Sequence, residues 1–414
     1  MKLVVTLECR FVITPDGRVW TRVGFSRSFW ERYLITFDGV KVAARTTPQA
    51  EVDGSYRQVN GPSVDVIPIA DYVGPYQYLK VRHLVRANLR ALLHEPDAFL
   101  CRVGSRLASD LIPALWRSGR PYGLEVVGDP YEVFRPGVID HPLRALFRFS
   151  ATRSLKQQCA RAAAVSYVTE HTLQRRYPAA DENIMYGISD VELPADYFIE
   201  KARVFQAACG THSHRVLFVG SLAQMYKGPD VLIRAVHLLL KTGVGIHVTM
   251  IGDGRHRPEL EHLASSLSLQ SHVTFLGELP SGSAIRDQLD RASLFVLPSR
   301  TEGLPRAMVE AMARGLPCIG TTVGGIPELL DAEDLVVPDD AEALAQKIRR
   351  TLNDPQRLSR MSTRNLAKAQ EFRPAILANR NREFYECLRD STKTWLSRQA
   401  AGTSPIAFKM AARP

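Results

Sequence analysis

The hydrophobic positions fall into two textures along the chain. Between about 215 and 355, short apolar runs recur as Val216–Val219, Ile246–Ile251, Val273–Leu276, Leu294–Leu297, Pro317–Ile319 and Leu335–Val337. Runs that stay apolar, without polar alternation, predict strands buried on both faces of a parallel sheet. Helical periodicity lies between them. Over 229–240, Val231, Leu232, Ala235, Val236 and Leu239 line one face behind Pro229 at the helix start. Further helices are predicted over 258–268, 281–292, 305–314 and 341–353. Strand and helix in strict alternation predict a Rossmann-like, doubly wound domain.

The first 190 residues are less regular but similar in kind. Strands are predicted at Leu3–Leu7, Tyr33–Phe37, Ala98–Arg102, Leu124–Val127 and Val165–Thr169, with helices near 76–93, 105–118 and 143–162. The interval 178–214 carries Pro178, Pro194 and few periodic apolar residues, which marks a linker. Over 374–396, Ile376, Leu377, Phe384, Tyr385, Leu388 and Trp395 alternate with Arg and Glu and predict an amphipathic terminal helix. Residues 397–414 contain small residues, two prolines and no acid, and read as a frayed basic tail. The expected fold class is α/β: domain 1–200, joined by the helix 376–396, and domain 201–375, both doubly wound, then the tail.

Charge and cysteine usage narrow the chemistry. The 414 residues carry 53 Lys and Arg against 43 Asp and Glu, a net +10. That excess favours anionic partners and is silent about fold. Six cysteines are scattered with no C-x-x-C spacing, which argues against a zinc site and a disulfide scaffold and for reduced cytoplasmic thiols. Leu3–Leu7 ends at Glu8 and is too short for a signal peptide, and no run reaches the length of a membrane span. A cytoplasmic chain is expected, with peripheral membrane contact at most.

The sharpest local signal is Pro298-Ser299-Arg300-Thr301-Glu302-Gly303-Leu304-Pro305, followed by a helix that contains Glu310. Eight residues of helix span about 12 Å. Two carboxylates so placed cannot share one proton, but they can hold hydroxyls at the two ends of an elongated ligand. The N–H groups of the helix start then offer an anion site between them. The alternative is a solvated Glu302 and a surface Glu310. A second signal, Gly220-Ser221-Leu222 leading to Lys227-Gly228, follows a buried strand and opens a helix, where ligands bind in open α/β sheets. Lys227 is a point charge for phosphate or an ordinary loop lysine. A third, Gly252-Asp253-Gly254, also ends a strand, but position 257 is Arg, so it is no dinucleotide fingerprint.

Together these stretches resemble the nucleotide-sugar-binding domain of the family 4 glycosyltransferases, retaining enzymes whose GT-B fold sets two Rossmann-like domains across a cleft. The resemblance runs from about 215 to 355. It rests on Glu302 and Glu310 as an E-x7-E pair, Gly220-Ser221-Leu222 with Lys227-Gly228, Gly252-Asp253-Gly254, Phe275-Leu276-Gly277-Glu278-Leu279, and Thr322-Val323-Gly324-Gly325-Ile326-Pro327-Glu328. It implies that Glu302 contacts the donor sugar, Glu310 the ribose, Lys227 the diphosphate, the backbone near Leu279 the base, and the Gly303 and Leu304 amides the sugar and phosphate. Many relatives carry arginine where Ser221 stands, so Lys227 acts with backbone donors alone or Arg300 substitutes. The N-terminal half should supply the acceptor pocket and a glycine loop after the first strand, for which Gly17 is preferred over Gly24. Relatives usually place a histidine at the end of a middle strand. Here the run is Leu124-Glu125-Val126-Val127-Gly128-Asp129-Pro130, and Asp129 either replaces it or organises the Asp-Pro turn.

The implied activity is transfer of a hexose, glucose from UDP-glucose by preference, to a saccharide or lipid-linked acceptor in exopolysaccharide assembly. The chain contains no Asp-x-Asp, so neither metal nor cofactor is expected. The alternatives are a nucleotide-sugar epimerase and a binding protein without catalysis. Residues 144–176 hold seven Arg or Lys against one acid, and Lys80, Arg82, Arg86 and Arg90 flank an apolar stripe. Such surfaces are solvated faces or contacts with an anionic membrane. Nucleic acid is not expected, because no recognition module accompanies the charge.

Overall fold

The computed structural model describes residues 1–22, 24–135, 141–191, 193–206, 213–280 and 282–401. Two sheets organise them. The first contains β1 (Leu3–Ile13), β2 (Val19–Thr21), β3 (Val40–Pro48), β4 (Arg57–Gln58), β5 (Val64–Ile69), β6 (Ala98–Val103), β7 (Gly123–Val126), β8 (Ala164–Tyr167) and β9 (Met185–Gly187). Its parallel core runs β5-β3-β1-β6-β7-β8-β9, while β2 and β4 pair antiparallel beyond the end of β1. The second contains β10 (His214–Val219), β11 (Ile246–Ile251), β12 (Val273–Gly277), β13 (Leu294–Leu297), β14 (Cys318–Thr321) and β15 (Leu335–Val336), all parallel in the order β12-β11-β10-β13-β14-β15.

Burial explains the apolar runs. Every residue of β13 and β14 is buried, as are Val216, Leu217 and Phe218 of β10, because helices cover both faces. The predicted helices form at Pro229–Lys241, Arg257–Ser266, Ser283–Arg291, Arg306–Ala313 and Ala341–Leu352. Asp340 caps the last of these by accepting from Ala343 N. One helix, Pro355–Ala369, escapes the apolar pattern: Leu358, Met361, Leu366 and Ala369 are its buried apolar positions, and the polar Ser362 and Asn365 are buried beside them.

The first sheet differs from expectation in three places. Tyr33–Phe37 is not a strand: Leu34 N donates to Glu31 O and Phe37 N to Tyr33 O, so the segment winds into turns. Its aromatics are buried by packing, with Tyr33 against Trp30 and Tyr385, and alternation is not needed to hide them. The strands that extend the sheet on that side of β1 are instead β3 and then β5, where Lys41, Arg45 and Asp65 interrupt the apolar run. The predicted linker also contains β9, which pairs with β8. At the other end, the helix Pro374–Ala400 takes in residues 397–400 of the expected tail, while 402–414 lie outside the described residues, as does Cys209. That helix returns to the first sheet and packs Phe384, Tyr385 and Leu388 against Leu3, Val5, Ala98 and Leu100.

Candidate functional site

In the second sheet the chain builds β10, β11 and β12 outward in one direction, then restarts at β13 on the other side of β10. The crevice at such a reversal, beyond the carboxyl ends of the strands, is where open α/β sheets take ligands. Gly220 and Lys227 follow β10, Gly252 follows β11 and Leu279 follows β12. Arg300, Glu302, Gly303 and Leu304 follow β13. Residues spread over some ninety positions thus meet at one edge.

At its centre, Lys227 Nζ donates to Glu302 Oε1 at 2.8 Å, and Ser299 Oγ donates to the same oxygen at 2.9 Å. Both members of the ion pair are largely buried. Burial alone would push the Lys227 ammonium down, but Glu302 and Tyr226 outweigh it and leave its pKa above the ordinary lysine value. Gly220 makes room for this arrangement, since a Cβ there would lie 2.2 Å from Lys227 Cδ. Glu310 sits in the helix Arg306–Ala313, whose first turn has no side-chain cap. It is buried and accepts from Arg306 Nε at 2.8 Å. Desolvation raises its pKa above the ordinary carboxylate range, with Arg306 partly offsetting that.

The other expected residues have local tasks. Arg300 is committed to the framework: its guanidinium donates to both Asp230 oxygens at 2.9 Å, to Asp339 at 2.6 Å and to the Met225 carbonyl. Ser221 is exposed and its hydroxyl accepts from Ala223 N. Gly17 turns the β1–β2 hairpin at φ +78°, its carbonyl accepting from Asn60, well past the part of β1 that pairs with β6. Asp129 is 3% exposed and caps the short helix Pro130–Val133, accepting from Tyr131 N at 2.9 Å, from Tyr177 Oη at 2.5 Å and from Arg176. Of its two readings, the turn-organising one is what these contacts display.

Two features were not singled out from sequence. The loops of the two sheets meet at Gly303, where a Cβ would lie 3.0 Å from the Val127 carbonyl and 3.3 Å from Val168. Beneath the terminal helix, Arg102 of β6 and Glu125 of β7 form a buried ion pair at 2.5 Å, and Tyr33 Oη donates to the same carboxylate at 3.0 Å. Their strand register makes them neighbours, but nothing local in sequence pairs them. The described cysteines are free, and burial pushes the Cys101 and Cys159 thiols up to about 12. Among the described residues no helix is long and apolar enough to cross a membrane.

Comparison with known proteins agrees with this geometry. Residues 213–354, which span the second sheet and its loops, match the family described as Glycosyl transferases group 1. The chain is 26% identical to Protein CapJ of Staphylococcus aureus over 81% of this chain and 82% of that protein. It is 36% identical to the amylovoran biosynthesis glycosyltransferase AmsK of Erwinia amylovora over 32% of this chain and 34% of the relative. Among solved structures, the sucrose-phosphate synthase of Thermosynechococcus elongatus superposes with a TM-score of 0.68 at 18% identity, covering 98% of this chain and 100% of that one. HepE of Anabaena, solved in complex with UDP-glucose, superposes with a TM-score of 0.60 at 15% identity over 96% of this chain and 99% of its own. The architecture is the GT-B fold.

Proposed function

We propose that this chain, a GT-B protein with a group 1 glycosyltransferase domain at residues 213–354, moves glucose from UDP-glucose to a saccharide or lipid-linked saccharide with retention at the anomeric carbon. The observation that carries the reading is the Lys227–Glu302 pair held at the chain reversal of the second sheet, with Glu310 in the helix that follows the Glu302 loop. A nucleoside diphosphate entering there takes the Lys227 charge for itself. Glu302 is then released to accept hydroxyls of the sugar, and Glu310 those of the ribose.

As the sugar–phosphate bond breaks, negative charge grows on the leaving diphosphate, and Lys227 with the N–H groups of the helix Arg306–Ala313 offsets it. The acceptor oxygen bonds to the anomeric carbon on the face that the phosphate leaves, and its proton passes to a phosphate oxygen. The chemistry asks for no divalent ion, so activity should survive a chelator. The preference for UDP-glucose and for polysaccharide assembly rests on the resemblance, on HepE in complex with UDP-glucose and on AmsK as an amylovoran biosynthesis enzyme.

A lipid-linked acceptor is favoured by one surface. Tyr131, Val133, Leu143, Leu146, Phe147 and Phe149 are each exposed, Phe149 by 68%, and Arg144, Arg148 and Arg153 lie in the same part of the chain. Exposed apolar side chains interspersed with arginine suit an anionic membrane. The helix Gly74–Ala91 is the weaker candidate, since Val85 and Leu89 are buried and Arg86 is tied to Asp110. Binding to phosphatidylglycerol vesicles should fall steeply with salt and be lost in Phe149→Asp; salt-independent binding would refute the membrane contact.

The first test is thermal unfolding with UDP, GDP and NAD in parallel. A ligand at a hundred times its dissociation constant adds about 2.7 kcal/mol. UDP should raise the midpoint in the wild type and not in Glu310→Ala; a rise with GDP alone would change the donor, and a rise with NAD alone would end the transferase reading. Turnover of UDP-glucose must also release UDP, which neither an epimerase nor a sensor would do.

A further inference from the structure

The loop Thr322–Glu328 stands between the two sheets. On its near side, Gly325 N donates to the Gly303 carbonyl at 2.6 Å, and a Cβ on Gly324, whose φ is +54°, would lie 2.0 Å from the Glu302 carbonyl. It therefore rests directly on the loop that carries the donor carboxylate. On its far side, Glu328 reaches across to the first sheet. Glu328 Oε2 accepts from Glu170 N at 2.6 Å, and Oε1 accepts from His171 N at 3.1 Å and Thr172 N at 2.6 Å. These three N–H groups open the helix Thr172–Arg176 just past β8, and His171, at the cap position, gives that helix no side-chain cap of its own. Helix starts need such acceptors and favour negative charge. Here the cap is a carboxylate more than 150 residues away, from the opposite sheet.

The same acceptor-side loop is gripped once more. Arg380 of the terminal helix donates to the Glu170 carboxylate and, at 3.0 Å, to the Gly187 carbonyl at the end of β9. The segment 170–172 is thus tied to its own sheet by one side chain and to the donor sheet by another. All three groups that Glu328 holds are backbone N–H groups, and water can satisfy them when the sheets part. The contact is therefore one that can break and reform without stranding a buried charge, as a partly exposed carboxylate regains water too.

We infer that Glu328 is a positioning residue that latches the acceptor-side sheet onto the donor loop when the cleft closes. The inference rests on the proposed transferase reading. It assigns Glu328 no contact with the donor or the reacting atoms. Its effect passes through Gly325 to Gly303 and through residues 170–172 to β8. Removing it should leave UDP binding to the open second sheet intact and should slow the closed complex.

The experiment uses the full chain as wild type, Glu328→Ala and Glu328→Gln, with UDP titration, UDP-glucose turnover and small-angle X-ray scattering with and without UDP. Losing a charge-assisted cap of this kind is expected to lower kcat by about tenfold in Glu328→Ala, with the UDP dissociation constant within about twofold of wild type. Glu328→Gln, which keeps an acceptor and the volume, should recover part of kcat. Scattering should show a larger radius of gyration for Glu328→Ala than for wild type with UDP bound. Unchanged kcat, or UDP affinity falling in step with kcat, would overturn the latch, as would identical scattering. If wild type turns over no nucleotide sugar, the transferase reading fails, and scattering alone decides whether Glu328 holds the sheets together.

Discussion

The two sheets share a plan and differ in how their chemistry is assembled. Each has a parallel core, each reverses its strand order beside its first strand, and each presents loops at the same kind of edge. In the second sheet the strands are two to six residues long and pass straight into the residues that matter: Gly220 one step after β10, Gly252 one step after β11 and Ser299–Leu304 shortly after β13. In the first sheet β1 runs eleven residues, overshoots its pairing with β6 and ends in a hairpin. Its charged groups meet sideways instead, as in the Arg102–Glu125–Tyr33 cluster under the terminal helix. Loops that each follow a buried strand directly leave a readable trace, whereas a cluster made from three separate elements leaves none.

That contrast can be broken from either side. The largest effect should follow from opening the cluster in the first sheet. Glu125→Ala leaves the buried Arg102 with only Asp190, 3.7 Å away, and should cost about 3 kcal/mol of stability, whereas replacing Arg102 and Glu125 together by Met and Leu should recover part of it. Denaturant unfolding of the single and double variants checks this, and a double variant no better than the singles would refute a purely structural pair. In the second sheet, Lys227→Ala should lower kcat/KM by about a hundredfold to a thousandfold through lost charge stabilisation. Arg300→Ala should leave UDP affinity near wild type and act on stability, because its partners are Asp230 and Asp339; steady-state kinetics beside calorimetry separates the two.

A smaller effect is expected at the boundary between the sheets. Asp129→Ala removes a helix cap and the acceptor of Tyr177, so it should lower stability by about 1–3 kcal/mol while kcat per folded molecule persists. Loss of kcat without loss of stability would restore Asp129 to the reaction centre. The smallest effect concerns pH. Burial places the Glu310 pKa above its ordinary value, so its ionised form is disfavoured in the folded chain and costs stability as pH rises past that ordinary value. Glu310→Gln should therefore raise the unfolding midpoint at pH 8, with the gain vanishing toward pH 4. Donor affinity in the wild type should weaken on acidification earlier than an ordinary glutamate would require, and that step should be absent in Glu310→Gln.

Much of the second sheet was legible because its signals are local. Runs such as Leu294–Leu297 are apolar because both faces are covered, and each is followed within a few residues by its functional loop. The helix expected to contain Glu310 forms, but it opens at Arg306 after Pro305, so Glu302 lies in the loop ahead of it and the stretch between the two carboxylates is only partly helical. The first sheet was legible where it obeys the same rule, in the start of β1 at Leu3–Leu7 and in β6, β7 and β8. Tyr33–Phe37 misled because apolar residues in a turn can bury themselves against a distant helix, here through Tyr385, as well as a strand can. Strands β3 and β5 were missed because the charges within them are paired at the rim, Lys41 to Asp97 and Lys2 to Asp65, and so need not be excluded from a sheet.

Taken by itself, the amino-acid sequence determined the α/β alternation, the parallel character of the second sheet and which loops follow directly on its strands. These depend on hydrophobic periodicity and on short turns, which act over a few residues. The tertiary structure alone decided partnerships. It neutralised Lys227 with Glu302, drew Arg300 into the framework, turned Asp129 into a cap and brought Glu328 to residues 170–172. The physical reason is common to all four: a charged side chain taken out of water binds whatever opposite charge or backbone N–H the fold sets beside it, and strand order, not sequence distance, chooses that neighbour.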